Sequence, residues 1–309
     1  AQIAAENGAP VIDIRLSQME PSDLRGIPMR AGDHVEWAIP SILPDAGRHG
    51  EAGILFLDEI TSAPPSVSAA AYQLILDRCL GNYQVPDGWA IFAAGNRQGD
   101  RGVTYTMPSP LANRFSHFDV DINLDDWVSW AYRQGIDDRI IAFLRFRPEK
   151  LFEFDPAHNP VAFPTPRSWE FAHNALQKFG TSTELLTETL QACVGPATGI
   201  ELKAYIDNLT NMPDLQEIIA GEPVQVPREV DLQYAVATAL VGHAIRALDE
   251  DGEERVHGNI LRFASQFPER EMGVMMVSDM TRAIGDRIFN LPEFADWSDA
   301  VADMMIFGN

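Results

Sequence analysis

Cysteine, positive charge and long apolar runs are scarce in this chain, and each shortage excludes a class of protein. Only two cysteines occur among 309 residues, Cys79 and Cys193, and they are far apart and have no CxxC spacing. A disulfide framework is therefore not expected, and a reduced, cytoplasmic protein is the simple interpretation. No apolar run reaches the length of about 18 residues that a membrane-spanning helix needs. No signal peptide is recognisable either.

The shortage of positive charge also limits the partners. Lys and Arg total 23 against 45 Asp and Glu, so the formal net charge is −22. Such a surface repels phosphate backbones and anionic lipids, which argues against general binding to nucleic acid or to a membrane surface. The seven histidines include no HExxH motif and no paired spacing, so a zinc site is not expected.

The apolar content is high enough for a large core. Hydrophobic residues make up 46% of the chain, and the length suggests about two domains. At the amino terminus, Ala1 to Glu6 predict the last turns of a helix, and Gly8 and Pro10 predict its end. VIDIRL (11–16) follows as a predicted strand, so the chain is expected to begin inside a βαβ unit.

Two continuous apolar runs predict further strands. GILFL (53–57) and AIFAA (90–94) are typical of parallel strands that are buried on both faces. A predicted helix lies between them, with Pro64 and Pro65 in its first turn and Gly81 at its end. This alternation predicts an α/β fold with a parallel sheet.

The character of the chain changes near residue 165, where helix-period segments replace strand signals. Five prolines between residues 147 and 166 predict a linker. The expected organisation is an α/β core over 1–146, a linker over 147–166, and an α-helical part over 167–309. Trp127 and Trp130 are predicted to lie in a helix core.

Polar residues follow two of the predicted strands. Asp58 and Glu59 end one strand, and Asn96 follows the next, so all three should face one crevice at the carboxyl edge of the sheet. Asp58 could hold Mg²⁺, Glu59 could orient or deprotonate a water molecule, and Asn96 could hold that water. From the residues alone, a solvated strand end and an ordinary turn residue in GNRQGDRG remain alternatives.

Two arginines have unusual positions. Arg114 lies in SPLANRF (109–115), where a surface ion pair is the common role. Arg167 follows Pro166 at the start of a predicted helix. Because the positive end of the helix dipole disfavours a cation there, an arginine at this position suggests an anionic partner.

The order GILFLDEI, AAGN, LANRF and PTPRS resembles that of an AAA+ ATPase of the MoxR-like and dynein-related branch. The resemblance covers roughly residues 1–180 well and the remainder loosely. It implies a P-loop NTPase core, with a parallel sheet, followed by an α-helical lid.

The resemblance also implies roles for five residues. In the Walker B motif, Asp58 would bind Mg²⁺ and Glu59 would be the catalytic glutamate. Asn96 would be sensor 1 and Arg167 sensor 2, both acting in nucleotide binding and catalysis. Arg114 would be the arginine finger.

The family implies a ring, expected to be a hexamer, in which Arg114 reaches the ATP of the neighbouring subunit. Hydrolysis of Mg-ATP would remodel a partner protein in a chaperone-like manner, and in this branch the partner is often a von Willebrand A domain protein. Two alternatives stay open. One is a non-hydrolysing AAA-fold scaffold, and the other is an AAA+ module acting on DNA, against which the net charge argues.

The sequence departs from the family at the phosphate cradle. The motif GxxxxGK[ST] is absent, and none of the three lysines, Lys150, Lys178 and Lys203, follows a glycine. The family places this loop on the helix before the VIDIRL strand, so we expect it immediately before Ala1. The chain 1–309 is therefore expected to be a truncated, inactive form of the ATPase.

Two further stretches predict small hairpins. Within residues 29–50, polar and apolar residues alternate around Trp37, and residues 80–89 contain a turn signal. In AAA+ rings such hairpins contact clients, which the resemblance implies for both. The alternative is that they are ordinary loops carrying a buried Trp or Tyr.

Overall fold

The computed structural model describes residues 2–97, 105–154, 161–180, 182–248 and 252–305. These residues form two compact units, 1–119 and 120–309, and each is considered by itself.

The first unit alternates helices and strands. Its helices are α1 (Gln2–Glu6), α2 (Pro21–Arg25), α3 (Ala46–His49), α4 (Pro65–Asp77) and α5 (Ser109–Ala112). Its strands are β1 (Val11–Arg15), β2 (Ile27–Ala31), β3 (His34–Ala38), β4 (Ala52–Asp58), β5 (Cys79–Leu80), β6 (Tyr83–Gln84) and β7 (Gly88–Ala93). The helix end predicted before the first strand is confirmed by α1.

Three parallel strands form the sheet of this unit, in the order β1-β4-β7. Ile14 lies opposite Leu57, and Leu57 lies opposite Ala93, so the strands end at the same level. Helix α4 lies in the connection between β4 and β7, which is the arrangement that parallel neighbours require. The predicted α/β fold with a parallel sheet is confirmed.

Both predicted hairpins are present. β2 pairs with β3, and β5 pairs with β6, both antiparallel. In the second hairpin Tyr83 is buried and donates a hydrogen bond to the Pro44 carbonyl at 2.7 Å, whereas Trp37 in the first hairpin is 39% exposed. A buried anchor therefore fixes the second hairpin, and the first projects apolar side chains outward.

The predicted end of α4 at Gly81 is wrong. The helix ends at Asp77, because Arg78 adopts a left-handed conformation with φ of 52°. The Arg78 guanidinium donates to the carbonyls of Pro86 and Trp89 at 2.9 and 2.8 Å, which stabilises this ending. Gly81 lies instead in the turn of the second hairpin.

The core of the first unit lies on one face of the sheet. Leu55 and Leu57 are fully buried in a cluster that includes Val67 and Leu74 of α4. The alternate side chains of the strands are less covered, and Phe92 of β7 is 54% exposed. The prediction that AIFAA is buried on both faces is therefore wrong. An apolar run indicates what a strand can bury, not how much of the chain covers it.

The second unit is helical. Its helices are α6 (Leu124–Gln134), α7 (Asp138–Phe146), α8 (Pro166–Phe179), α9 (Thr183–Val194), α10 (Pro196–Asn208), α11 (Leu215–Ala220), α12 (Val230–Arg246), α13 (Glu253–Ala264), α14 (Arg270–Ile284) and α15 (Pro292–Met305). Its described residues contain no strand, as predicted. Among the residues that the structure describes in both units, no helix is both long enough and apolar enough to cross a membrane.

Helix α12 packs against α7, α13 and α14 in the middle of this unit. Val236, Leu240 and Val241 of α12 are buried in one large cluster. Trp127 is buried in the same cluster and Trp130 is partly buried against it, which confirms their predicted place in a helix core.

The division between the units lies after Asp119, earlier than the predicted linker at 147–166. Helices α6 and α7 belong to the helical unit because their apolar side chains, such as Ile140 and Phe143, are part of its core. The start of the predicted linker also packs there, since the Trp169 indole donates to the Lys150 carbonyl at 3.0 Å. Residues 155–160 of that segment lie outside the described residues.

Candidate functional site

The carboxyl ends of the three parallel strands form the candidate site. Arg15 at the end of β1 lies opposite Asp58 at the end of β4, and β7 ends beside them at Ala93. This edge of a parallel sheet is where ligands bind in open α/β folds. The chain leaves these strands through Ser17, Glu59 and Asn96, so three polar residues follow three neighbouring strand ends.

Glu59 has the most unusual backbone of the three. Its φ is 56°, in the left-handed region that side chains other than glycine rarely adopt. Its N–H donates to Asp58 Oδ1 at 2.9 Å, and its Oε2 accepts a hydrogen bond from the Ser17 hydroxyl. A left-handed residue at a strand end is typical of functional sites, because the surrounding structure must maintain it. Ser17 therefore holds the carboxylate that the sequence predicts to be catalytic.

The segments that follow β4 and β7 are in direct contact. The Ile60 N–H donates to the Ala94 carbonyl at 2.9 Å, and the Thr61 hydroxyl donates to the Asn96 carbonyl at 3.2 Å. A Cβ atom at Gly95 would lie 2.7 Å from Thr61 Oγ1, so only glycine permits this approach. The contact brings the Asn96 backbone to Thr61, three residues beyond the end of β4.

Asn96 and Arg114 both present free polar groups in the first unit. Both residues are exposed, and neither side chain has a hydrogen-bond or ion-pair partner in the part of the chain that the structure describes. Arg114 directly follows α5 and its cap, and its N–H donates to the Leu111 carbonyl at 2.9 Å. Of the predicted loop GNRQGDRG (95–102), residues 98–102 lie outside the described residues.

Arg167 lies in the second unit, at the start of α8. Thr165 and Ser168 form a capping box there, with the Ser168 N–H donating to Thr165 Oγ1 at 3.0 Å and the Thr165 N–H donating to Ser168 Oγ at 2.7 Å. Because these groups cap the helix, the exposed Arg167 side chain is not needed for it. The guanidinium can therefore bind an anion.

Oxygen atoms dominate the strand ends, which suits a hard cation such as Mg²⁺. Asp58 and Glu59 supply carboxylates, and Asn96 supplies an amide oxygen. Within the described ranges, no three or more His, Cys, Asp and Glu side chains are grouped to hold a metal ion. Magnesium commonly takes one or two carboxylates together with phosphate oxygens and water, so Asp58 fits this kind of site.

Sequence reasoning missed Ser17 and Arg15. Both belong to the end of β1, which the sequence correctly predicts as a strand. The signal that identifies Ser17 is its position after β1, because polar residues that follow neighbouring parallel strands face one crevice. Ser17 contacts Glu59, which follows β4.

Comparison with family models gives no match, and comparison with curated proteins gives none either. The function of the chain is therefore inferred from the geometry of the strand ends and from the motifs that occupy them.

Proposed function

We propose that this chain is the catalytic part of a MoxR-like AAA+ ATPase that works as a ring and remodels a partner protein. The observation that carries the proposal is that Asp58 and Glu59, at the end of β4, and Asn96, after β7, follow neighbouring parallel strands whose next segments touch through Thr61. A partner with a von Willebrand A domain is what the resemblance implies.

Glu59 is the residue proposed to activate water. Phosphoryl transfer depends mainly on positioning and on electrostatic stabilisation, so the carboxylate must be held in place. Ser17 does this by donating to Oε2, and the Glu59 backbone is fixed by its N–H bond to Asp58. Asn96 can donate its amide N–H to the same water, or to a phosphate oxygen.

ATP and Mg²⁺ are the proposed substrate and cofactor. Asp58 would hold the metal, and phosphate oxygens and water would complete its shell. The metal would supply charge neutralisation on the phosphates. The proposal requires a phosphate cradle GxxxxGK[ST] from outside residues 1–309, because no such motif occurs within them.

Arg114 and Arg167 are the proposed cationic groups. Arg114 is exposed and has no partner among the described residues, which suits a residue that reaches the nucleotide of a neighbouring subunit. Arg167 is exposed at the start of α8 and would act from the lid. A ring, proposed as a hexamer, is what brings Arg114 to a second subunit.

The substitution Glu59→Gln tests this function in the protein expressed with the residues encoded upstream of Ala1. The amide cannot accept a proton, so turnover should fall by about 10²–10⁴, whereas ATP should bind with near-normal affinity. Glu51→Gln is the matched control, because Glu51 is exposed beside the other end of β4 and should tolerate the same change without effect. Normal turnover by Glu59→Gln would contradict the assignment.

A non-hydrolysing scaffold is the second candidate, favoured by the missing phosphate cradle. In that case the gene upstream of Ala1 would encode no GxxxxGK[ST], and the wild-type protein would show no turnover for Glu59→Gln to remove. Reading the upstream sequence and measuring wild-type turnover separate the two candidates.

A further inference from the structure

Strand β1 has a free edge. The Pro10 carbonyl accepts a hydrogen bond from the Ile54 N–H at 2.9 Å, which fixes the alternation of backbone groups along the strand. Consequently the N–H and C=O groups of Val11 and Asp13 and the N–H of Arg15 point away from β4. The Arg15 carbonyl is the N-cap of the following 3-10 turn and accepts that turn's first hydrogen bond. Within the described ranges β4 is the only strand that pairs with β1. A row of unpaired backbone groups is a template for another strand.

A cleft of about 710 Å³ opens along this edge. Its lining includes Asp13 and Arg15 of β1, Gly26 and Ile27 at the start of the first hairpin, and Ile42 after the hairpin. Ile27 and Ile42 are 63% and 41% exposed, so the lining offers apolar surface. The edge therefore borders a space with both backbone and apolar groups.

The side chains along the edge carry a charge pattern. Asp13 and Arg15 are two residues apart, so both lie on the same side of the sheet. Both are exposed, and neither has a partner among the residues that the structure describes. Ile14 between them faces the other side and is 3% exposed. A strand added here would meet an acid and a base on one side and apolar groups on the other.

We propose that this edge binds an extended segment of a partner protein by β-strand addition. The segment carries a basic residue opposite Asp13 and an acidic residue opposite Arg15, with an apolar residue between them. Backbone hydrogen bonds supply the affinity, and the two opposite-charge pairs supply the selectivity. Binding at this edge needs no nucleotide, and Arg15 also lies opposite Asp58 of the candidate site.

Charges on edge strands usually prevent pairing with other chains. Asp13 and Arg15 prevent pairing with strands that are apolar or that carry charges of only one sign. The same two charges favour a strand with the complementary pair, because opposite charges across a pair stabilise it and like charges destabilise it. The edge therefore selects its partner.

Labelled seven-residue peptides test the proposal by fluorescence anisotropy with the chain 1–309. The probes are acetyl-Thr-Val-Lys-Val-Glu-Val-Thr-amide and its Glu/Lys-exchanged form, which present the complementary pair in parallel and antiparallel orientation. At least one of them should bind. Methylating the backbone nitrogens that face β1 should weaken that binding at least tenfold. Amide hydrogen exchange at Asp13 and Arg15 should slow when the peptide binds.

The charge-reversed variant Asp13→Lys makes the test independent of strand direction. Both edge side chains are then positive, so a peptide with Glu at both central positions should bind the variant at least threefold better than the wild type. Asp13 is exposed, so the variant should keep its circular dichroism spectrum and unfolding midpoint.

Several results would overturn the proposal. These are absence of peptide binding up to millimolar concentration, equal binding of the methylated peptide, or no preference of the Glu/Glu peptide for Asp13→Lys. If sedimentation shows a dimer of the chain and either peptide dissociates it, the occupant of the edge is a second copy of this chain and not a partner protein.

Discussion

The two units place their acidic side chains in different surroundings. In the second unit, the Arg145 guanidinium binds Asp125 and Asp279 at 2.5 Å each, joining α6, α7 and α14. At the strand ends of the first unit, Asp58 and Glu59 are bonded to a backbone N–H and to a hydroxyl. The ion pairs of the helical unit hold helices together, and the strand-end carboxylates keep capacity for a ligand.

The net charge divides unequally between the same two units. Residues 1–119 contain 14 acids and 8 bases, whereas residues 120–309 contain 31 acids and 15 bases. Most of the net charge of −22 therefore arises in the helical unit. The excess of acidic residues is therefore mainly a property of the helical unit and less one of the unit that contains the candidate site.

The largest expected effect belongs to Arg114. In the protein expressed with the residues upstream of Ala1, Arg114→Ala should bind ATP near normally and hydrolyse it about 10³–10⁵ times more slowly. The reason is that an arginine finger stabilises charge that develops on the γ-phosphate. Steady-state hydrolysis and ATP titration measure the two quantities, and Arg25→Ala, an exposed arginine in the same unit, is the control.

A mixing experiment decides whether Arg114 acts between subunits. Rings that combine Arg114→Ala with Glu59→Gln should recover part of the activity, because an intact Glu59 can meet an intact Arg114 from the next subunit. No recovery in rings shown to be co-assembled would exclude that role.

The second unit should lose stability when its central arginine is removed. Arg145→Met leaves Asp279 buried without its cation, so the free energy of unfolding should fall by about 3–5 kcal/mol. Arg282→Ala is the matched control, because Arg282 contacts the same aspartates from an exposed position and should lose only about 0–1 kcal/mol. Urea unfolding measures both, and equal losses would contradict a special role for Arg145.

The strands, both hairpins and the contact between the segments that follow β4 and β7 were predictable from the sequence. These features depend on local apolar runs and on the rule that parallel strands end at one edge. Ser17 follows the same rule and was accessible to it. The exposure of Phe92 was not, because the sequence of a strand does not reveal how much of the chain covers each face.

Contacts between distant residues explain what the sequence did not predict. Arg145 and Asp279 are 134 positions apart, and nothing in their local sequence pairs them. The assignment of α6 and α7 to the helical unit has the same cause, because α7 packs against α12 and α6 against α14, which follow much later in the chain. Arg78 ends α4 through bonds to carbonyls 8 and 11 residues later, which overrides the glycine signal at Gly81.

Acidification should strengthen the second unit through Asp279. Burial raises the pKa of this carboxyl to about 6, outweighing the attraction of Arg145. A raised pKa contributes stability below the unfolded value of 3.8, and that contribution is lost as the pH rises through 6. As the pH rises from 4 to 7, the free energy of unfolding of the wild type should therefore fall by up to about 3 kcal/mol relative to that of Asp279→Asn.

The comparison with Asp279→Asn cancels the titration of other groups, because they are common to both proteins. Urea unfolding at several pH values gives the difference directly. If the wild type instead became more stable relative to the variant as the pH rises, the ion pair with Arg145 would outweigh the cost of burying the Asp279 carboxylate. The carboxylate would then stabilise the unit in its charged form.

The smallest expected effect tests whether the first unit's carboxylates are held for chemistry. In the protein that includes the upstream residues, Ser17→Ala should lower kcat about tenfold, because it removes the hydroxyl that donates to Glu59. The KM for ATP should stay unchanged, since Ser17 is not proposed to touch the nucleotide. Ser17→Thr keeps a hydroxyl and should retain most of the activity.

A purely structural Ser17 would give a different pattern from a positioning one. Loss of packing alone would lower the unfolding midpoint of Ser17→Ala, with kcat unchanged below that temperature, and Ser17→Thr would then disturb the fold as much as alanine. A rise in kcat on Ser17→Ala would mean that the hydroxyl restrains Glu59 in an unproductive position. Because Glu59→Gln already removes the group that Ser17 positions, adding Ser17→Ala to it should lower turnover no further. The double variant therefore separates a role through Glu59 from any other role of Ser17.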